Sequence, residues 1–163
     1  ASGGVGLAAV KLLAMRGAEV TAVTQPDKAD ALRAAGAAAT LARDAALPAR
    51  HFDAAVDLVG GPRFPAVIEA LAPRGRYVTS GAIAGPIVEL DLRSLYLRDL
   101  TLFGATLQPP EVFAALIGYI ESGRIAPTVA RIFPLRQLHA AQEAFLSKVH
   151  VGKIAIQVAD GPV

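Results

Sequence analysis

The sequence contains no cysteine and no tryptophan, and only one methionine among its 163 residues. Without cysteine the chain can form neither a disulfide nor a thiolate zinc site, which leaves His51, His139 and His150 as nitrogen ligands. His51 has no acidic partner at ligand spacing, and His139 falls on the polar face of a late helix. We therefore predict no metal site.

Long apolar runs and a large excess of either charge are also absent. No run is long enough to span a bilayer, and the formal net charge is only +2, with scattered arginines. These features argue against a membrane partner and against nucleic acid as a partner. Because 53% of the residues are hydrophobic, we expect a single soluble domain with a sizeable core, cytoplasmic by default.

A glycine-rich turn, residues 1–6, opens the sequence and leads into an apolar helix. Small residues let the backbone turn sharply and approach phosphates closely, and the last glycine lets the helix pack on a sheet. The free N–H groups and the positive dipole end of such a helix face an anion. The turn therefore predicts a pyrophosphate-binding loop made by Ser2, Gly3, Gly4, Val5 and Gly6.

Helices and strands alternate after this turn. Apolar residues recur at helical spacing up to the cap Gly17, and a β-branched run at 18–24 follows as a buried parallel strand. The later elements are a helix at 26–36, an apolar stretch at 37–42, strands at 52–59 and 76–80, and a helix at about 64–71. This order predicts an α/β fold of the Rossmann type, a doubly wound parallel sheet in a three-layer αβα arrangement.

The second half of the chain is less regular. It contains a short helix at 91–98, a strand at 100–107, helices at 110–122 and 135–149, and a strand at 153–158. No linker or repeat divides the sequence. We predict one nucleotide-binding domain, residues 1–163, whose Rossmann part ends near residue 135 and is followed by a C-terminal helix and strand at about 135–158.

Five short segments carry a resemblance to a known family. They are Ser2–Ala8, Gly17–Val20, Val56–Gly61, Leu71–Arg76 and Gly152–Ile154. In this order they resemble the medium-chain dehydrogenase/reductase superfamily, and in particular its zinc-independent quinone oxidoreductase-like branch. In that family a catalytic domain precedes the nucleotide-binding domain. The resemblance implies the C-terminal part of a longer enzyme, with a sheet ordered 3-2-1-4-5-6 that here lacks its first strand.

The same resemblance implies the chemistry. A pyridine nucleotide would lie across the strand ends and exchange a hydride with a quinone, an enone or another small carbonyl substrate. Ser80 and Gly81, with Phe103 and Gly104, would line the nicotinamide side, and Gly60 would lie near the adenosine ribose. The family's proton donors come largely from the preceding domain, so no catalytic residue is named, and we expect the chain alone to lack turnover.

The end of the second strand bears on the choice of cofactor. A carboxylate at this position would bind the ribose hydroxyls and repel a 2′-phosphate, but the residue is Thr24, with Lys28 one helical turn later. The family places a lysine at this spacing in members that use NADPH. Arg43, after the third strand, offers a second cation. We therefore predict NADPH as the cofactor.

Some polar residues have a simpler, structural interpretation. Asp57 lies on a buried strand and is expected to accept hydrogen bonds from a neighbouring loop. Gly60 equally suits an ordinary turn closed by Pro62. His150 and Lys153 border the terminal strand, where the family's chain returns toward the cofactor.

Other function classes stay open. A zinc-dependent alcohol dehydrogenase belongs to the same superfamily. An S-adenosylmethionine-dependent methyltransferase also uses a glycine turn, although it usually has an acidic residue where Thr24 stands. A nucleotide-binding module without catalysis is a further alternative.

Two structural expectations follow from the resemblance. The strand at Leu100–Thr106 would be the last of the sheet, and it has no proline or charge to protect its edge, so we predict a homodimer through this strand. The position of the missing first strand would need a substitute, from residues upstream of Ala1, by closure of the adjacent strands or by the terminal strand at 153–158.

Overall fold

Helices and strands alternate along most of the chain in the computed structural model, which describes residues 1–159. The helices are α1 (Gly4–Met15), α2 (Ala29–Ala34), α3 (Phe64–Ala70), α4 (Leu92–Tyr96), α5 (Pro110–Glu121) and α6 (Leu138–Leu146). The strands are β1 (Thr21–Thr24), β2 (Ala39–Ala42), β3 (Phe52–Asp57), β4 (Leu71–Thr79), β5 (Thr101–Gly104), β6 (Val129–Pro134) and β7 (Lys153–Gln157). Across residues 1–159, none of the helices has the length and apolar character that crossing a membrane requires.

The strands pair in parallel and form three sheets, ordered β1–β2, β3–β4–β5 and β6–β7. The first two sheets correspond to strands 2–3 and 4–5–6 of the predicted order. No strand within residues 1–159 corresponds to the first strand of that order, which would pair with both β1 and β3. The α/β class with parallel strands is confirmed, but the single continuous sheet that we expected is replaced by three.

The terminal strand β7 pairs with β6 and does not take the central position that we considered for it. Its partner β6 was not predicted at all. The β-branched and aromatic residues Val129, Ile132 and Phe133 are typical of a strand, but Arg131 and the neighbouring prolines interrupt the pattern.

The elements group into two compact units. Unit 1 contains Ala1–Asp44 and the chain from Ala115 onward, and unit 2 contains Ala45–Ala114. The buried core of unit 1 is formed by Leu7, Val10, Val20, Ala22, Leu32 and Ala37. The buried core of unit 2 is formed by Phe64, Ile68, Leu71, Tyr77 and Leu100. The predicted division near residue 135 stays a prediction.

A buried arginine completes the end of α3 in unit 2. The Arg98 side chain is 8% exposed, and its guanidinium donates to the carbonyls of Leu71 at 3.0 Å, Ile68 at 3.2 Å and Ser94 at 3.1 Å. The last carbonyls of a helix lack N–H donors within the helix, and in α3 the carbonyls of Ile68, Glu69 and Ala70 accept from backbone N–H groups outside it. Arg98 adds side-chain donors at this end of α3 and joins it to the segment after α4.

Candidate functional site

The glycine turn of unit 1 leads directly into α1, as predicted. Gly3 is the N-cap, and its carbonyl accepts from the Leu7 N–H at 2.9 Å. No side chain caps this helix, and no acidic residue lies in its first turn. The N–H groups of Gly4, Val5 and Gly6 therefore have no acceptor within the helix and suit an anionic ligand.

Three glycines of the turn have different surroundings. A Cβ added at Gly6 would lie 2.6 Å from the Ala1 carbonyl oxygen, so the backbone itself excludes a side chain there. A Cβ added at Gly4 would lie 2.6 Å from the Lys153 Nζ atom. At Gly3 nothing lies within 4 Å, so the backbone faces open space. Open backbone beside free N–H groups is the surface that a pyrophosphate requires.

Lys153 is brought to the turn by the segment that precedes β7. The Gly152 N–H donates to the Ser2 carbonyl at 3.3 Å, and Gly152 forms a parallel bridge with Gly3. The exposed Lys153 ammonium has no hydrogen-bond partner among residues 1–159, apart from solvent. From the sequence we expected Lys153 to border the terminal strand, and we did not predict it as a cofactor ligand. The feature of the sequence that could have indicated this role is a lysine at the first position of the terminal strand β7.

Thr24, Lys28 and Arg43 share the carboxyl end of the β1–β2 sheet. Thr24 pairs in register with Ala42, so Arg43 follows at the same end. Thr24 is 1% exposed, and within the described chain its Oγ1 atom has no hydrogen-bond partner. Burial, followed by the positive charges of Arg43 and Lys28, lowers the pKa of the Ala1 amino group to about 6. Positive charge is thus concentrated at this end of the sheet.

Lys28 is more enclosed than the sequence analysis expected. Its side chain is 6% exposed, and its ammonium donates to the carbonyls of Lys148 and, at 3.4 Å, His150. These contacts join the end of β1 to the segment before β7. Whether Lys28 also binds a phosphate stays a prediction.

In unit 2 the other predicted residues lie at the carboxyl edge of the β3–β4–β5 sheet. Asp57, Thr79 and Gly104 are in register across the three strands. Gly60, Ser80 and Gly81 follow β3 and β4 at this edge, and Phe103 on β5 is 50% exposed. In proteins with parallel sheets, ligands bind beyond the carboxyl ends of the strands. The predicted residues therefore lie at the edge where a ligand would be expected.

The loop after β3 has the structural role that we expected of Asp57. The Asp57 Oδ1 atom accepts from the N–H groups of Val59 at 2.8 Å and Gly60 at 3.1 Å. Gly60 and Gly61 both have positive φ angles, 61° and 66°, so the glycines make a tight turn. Contact of Gly60 with a ribose stays a prediction.

The residues of the described chain do not fit a zinc site. No group of three or more histidine, cysteine, aspartate or glutamate residues lies within reach of one ion in residues 1–159. His139 has Glu143 as its neighbour at 3.4 Å, on an exposed helix face.

Comparisons with known proteins agree with this geometry. A family model described as zinc-binding dehydrogenase matches residues 27–156. A structure from Sinorhizobium meliloti 1021, assigned as an alcohol dehydrogenase, is 42% identical with a TM-score of 0.88, and the match covers 95% of this chain and 45% of that chain. Bacillus subtilis protein YhfP with NAD bound is 26% identical with a TM-score of 0.82, over 96% of this chain and 52% of that chain.

A match to a much longer protein has the same extent. The spectinabilin polyketide synthase system protein NorB of Streptomyces orinoci is 31% identical over 172 residues, which is 96% of this chain and 8% of that protein. Against the two dehydrogenase-like structures above, by contrast, the chain spans about half of each structure's length. On the family match and the structural likeness together, the chain belongs to the zinc-binding dehydrogenase family of the medium-chain dehydrogenase/reductase superfamily, and it corresponds to the C-terminal nucleotide-binding domain.

Proposed function

We propose that this chain is the nicotinamide-nucleotide-binding domain of an NADPH-dependent oxidoreductase that reduces a quinone, an enone or another small carbonyl compound. The observation that carries the proposal is the uncapped start of α1, with open backbone at Gly3 and the Lys153 ammonium beside Gly4. When bound, the reduced nicotinamide supplies the hydride. The related YhfP structure, which contains NAD, supports this class of cofactor.

The pyrophosphate is proposed to bind at the glycine turn of unit 1. The first N–H groups of α1 donate to its oxygens, and the helix dipole favours its negative charge. Lys153 adds an exposed cation that has no competing hydrogen-bond partner in residues 1–159. A charge-assisted hydrogen bond of this kind is stronger than one between neutral groups.

The preference for NADPH is proposed on the charges at the end of β1. Thr24 occupies the position where a carboxylate would repel a 2′-phosphate, and Lys28 and Arg43 add positive charge nearby. To bind the phosphate, the Lys28 ammonium must either break its hydrogen bonds to the carbonyls of Lys148 and His150 or donate to the phosphate and these carbonyls together. The phosphate, being charged, is the stronger acceptor.

The nicotinamide is proposed to lie at the carboxyl edge of the unit 2 sheet, against Ser80, Gly81, Phe103 and Gly104. An alcohol as hydride donor is the second candidate, favoured by the 42% identity to the Sinorhizobium meliloti protein. Because the chain spans about half the length of that structure, the groups that would select a substrate belong to the remainder, and we expect no turnover from the chain alone. A cytoplasmic location stays a prediction from the sequence.

Two lysine variants separate the phosphate positions in a binding titration with NADPH and NADH. We expect Lys28→Ala to weaken NADPH at least about 10-fold while leaving NADH within about twofold, because only NADPH carries the 2′-phosphate. We expect Lys153→Ala to weaken both nucleotides equally, by about 5- to 10-fold, because both carry the pyrophosphate. Nicotinamide fluorescence measures the dissociation constants of the unaltered protein and of both variants for each nucleotide.

Arg136→Ala is the matched control for this titration, since it removes one positive charge from an exposed position of the same unit. It should leave both affinities unchanged. Failure of the unaltered protein to bind either nucleotide would refute the proposed function. Equal losses for both nucleotides with Lys28→Ala would refute only the assignment of the 2′-phosphate.

We also propose a homodimer through β5. This strand is the last of the β3–β4–β5 sheet, and it presents exposed Thr101 and half-exposed Phe103. A strand edge without charge or proline invites pairing with a second copy. We expect light scattering to give twice the monomer mass and Thr101→Pro to halve it, with Thr106→Pro, just beyond the strand, as the control. A monomer at every concentration would contradict the proposal.

A further inference from the structure

We propose that Asp57 and Tyr77 form a positioning pair that fixes the loop after β3 and, through it, the loop after β4 that carries Ser80 and Gly81. The inference rests on the proposed function, because it gives these loops the task of orienting the nicotinamide. All of the residues involved lie in unit 2.

First, hydrogen bonds attach the Asp57 carboxylate both to its own loop and to the core of unit 2. One carboxylate oxygen, Oδ1, accepts from the N–H groups of Val59 and Gly60. The other, Oδ2, accepts from the Tyr77 hydroxyl at 2.9 Å. The carboxylate is thus held from two sides, and the loop after β3 is tied to a residue of β4.

The second step is the rigidity of Tyr77. Its side chain is 4% exposed, and its ring packs edge-on against Phe64 at a centroid distance of 5.3 Å. Burial, followed by the hydrogen bond to Asp57, raises the pKa of Tyr77 to about 12, above the value of an ordinary phenol that already keeps its proton at neutral pH. Tyr77 therefore remains a donor and fixes the carboxylate relative to the core of unit 2.

The third step connects the two loops through backbone groups that Asp57 does not touch. The Ala84 N–H donates to the Val59 carbonyl at 2.9 Å, and the Gly61 N–H donates to the Gly85 carbonyl at 3.1 Å. The fit is close, since a Cβ added at Gly61 would lie 2.7 Å from the Ala84 carbonyl oxygen. Movement of the first loop must therefore move the second.

The last step reaches the predicted cofactor residues. A Cβ added at Gly81 would lie 3.1 Å from the Leu58 carbonyl oxygen, so the start of the second loop also packs on the first. The Gly81 carbonyl accepts from the Thr79 hydroxyl at 3.0 Å. Ser80 stands between these two residues, and its backbone position depends on both loops.

The experiment combines amide hydrogen exchange on this chain with kinetics of the enzyme that contains it. We expect Asp57→Ala to speed exchange at Ala84 and Gly61 about 10-fold, although neither amide bonds to Asp57. In the enzyme we expect kcat to fall about 10-fold while the dissociation constant for the nucleotide changes less than about twofold, because the variant disturbs orientation and leaves the phosphate contacts in place.

Three further variants make the result decisive. Asp57→Asn keeps an Oδ1 acceptor for both N–H groups, so we expect it to restore protection and most of kcat. Tyr77→Phe removes only the hydroxyl and keeps the ring, so it should give an intermediate effect, which provides a readout if Asp57→Ala fails to fold. Asp53→Ala removes an exposed carboxylate from the same strand and should change nothing.

Unchanged exchange at Ala84 and Gly61 in both Asp57→Ala and Tyr77→Phe would overturn the inference, whatever the enzyme does. A loss of nucleotide affinity equal to the loss of kcat would also overturn it, since Asp57 would then act on binding. If the unaltered protein binds no nucleotide, the proposed function fails, and the exchange data still decide whether the pair couples the loops.

Discussion

Replacing Arg98 with alanine is expected to lower the free energy of unfolding by about 3 kcal/mol, the upper end of what hydrogen bonds to a charged group contribute. The Arg98 guanidinium donates to the carbonyls of Ile68, Leu71 and Ser94, and its carboxylate neighbour Glu69 lies at 3.4 Å. Alanine would remove these hydrogen bonds and leave a cavity beside the end of α3. Urea denaturation followed by circular dichroism measures the change.

Arg93→Ala is the control for this experiment. Arg93 also pairs with a carboxylate, that of Asp91 at 2.8 Å, but its side chain is 73% exposed. We expect the Arg93 variant to unfold at the same urea concentration as the unaltered protein, because solvent screens an exposed pair. An equal loss in both variants would show that burial of Arg98 is not what stabilises the end of α3.

Gly152→Ala is expected to cost about 3 kcal/mol of stability and to weaken nucleotide binding, because backbone strain and a steric clash add together. Gly152 has a φ of 94°, and an added Cβ would fall against the Thr128 carbonyl oxygen, which also accepts from the Lys153 N–H at 2.9 Å. Relief of the clash must shift the start of β7 and, with it, the lysine beside Gly4. Thermal unfolding and the NADPH titration measure the two effects.

Gly123→Ala isolates the backbone contribution. Gly123 has a φ of 69°, but nothing lies within 4 Å of an added Cβ. We expect this variant to cost only about 1 kcal/mol, the penalty for an alanine in the left-handed region, and to bind nucleotide normally. If Gly152→Ala behaved no differently, the contact with Thr128 would have no energetic role.

Local patterns predicted the elements that are self-contained. The cap glycines Gly17 and Gly36 ended the first two helices close to where they end in the structure, since a positive φ of 81° or 107° is a local requirement of the chain. The terminal strand β7 was also predicted, because the alternating isoleucines Ile154 and Ile156 indicate a strand without information from the rest of the chain. By contrast, β6 is a strand because β7 lies beside it, and that pairing is not encoded within 129–134.

The candidate site shows the same division. The glycine turn could be predicted because the close backbone approach that it makes requires glycine at fixed positions within a few residues. Lys153 was not chosen as a ligand, because its proximity to Gly4 depends on the bridge between Gly3 and Gly152, residues far apart in the chain. The burial of Lys28 was missed for the same reason, since its carbonyl acceptors lie 120 and 122 residues later.

The division of the chain into units affects the order in which a ribosome can deliver a folded product. Unit 2 is one continuous segment, Ala45–Ala114, and it can begin to fold as soon as that segment leaves the exit tunnel. Unit 1 is made from two segments that flank unit 2 in the sequence, so α1 and β1 leave the ribosome before unit 2 but must wait for β7. During that interval the Lys28 ammonium has neither of its carbonyl acceptors and stays in water. Within unit 1, the segment that precedes unit 2 is therefore made before unit 2 but reaches its native surroundings after unit 2 can fold.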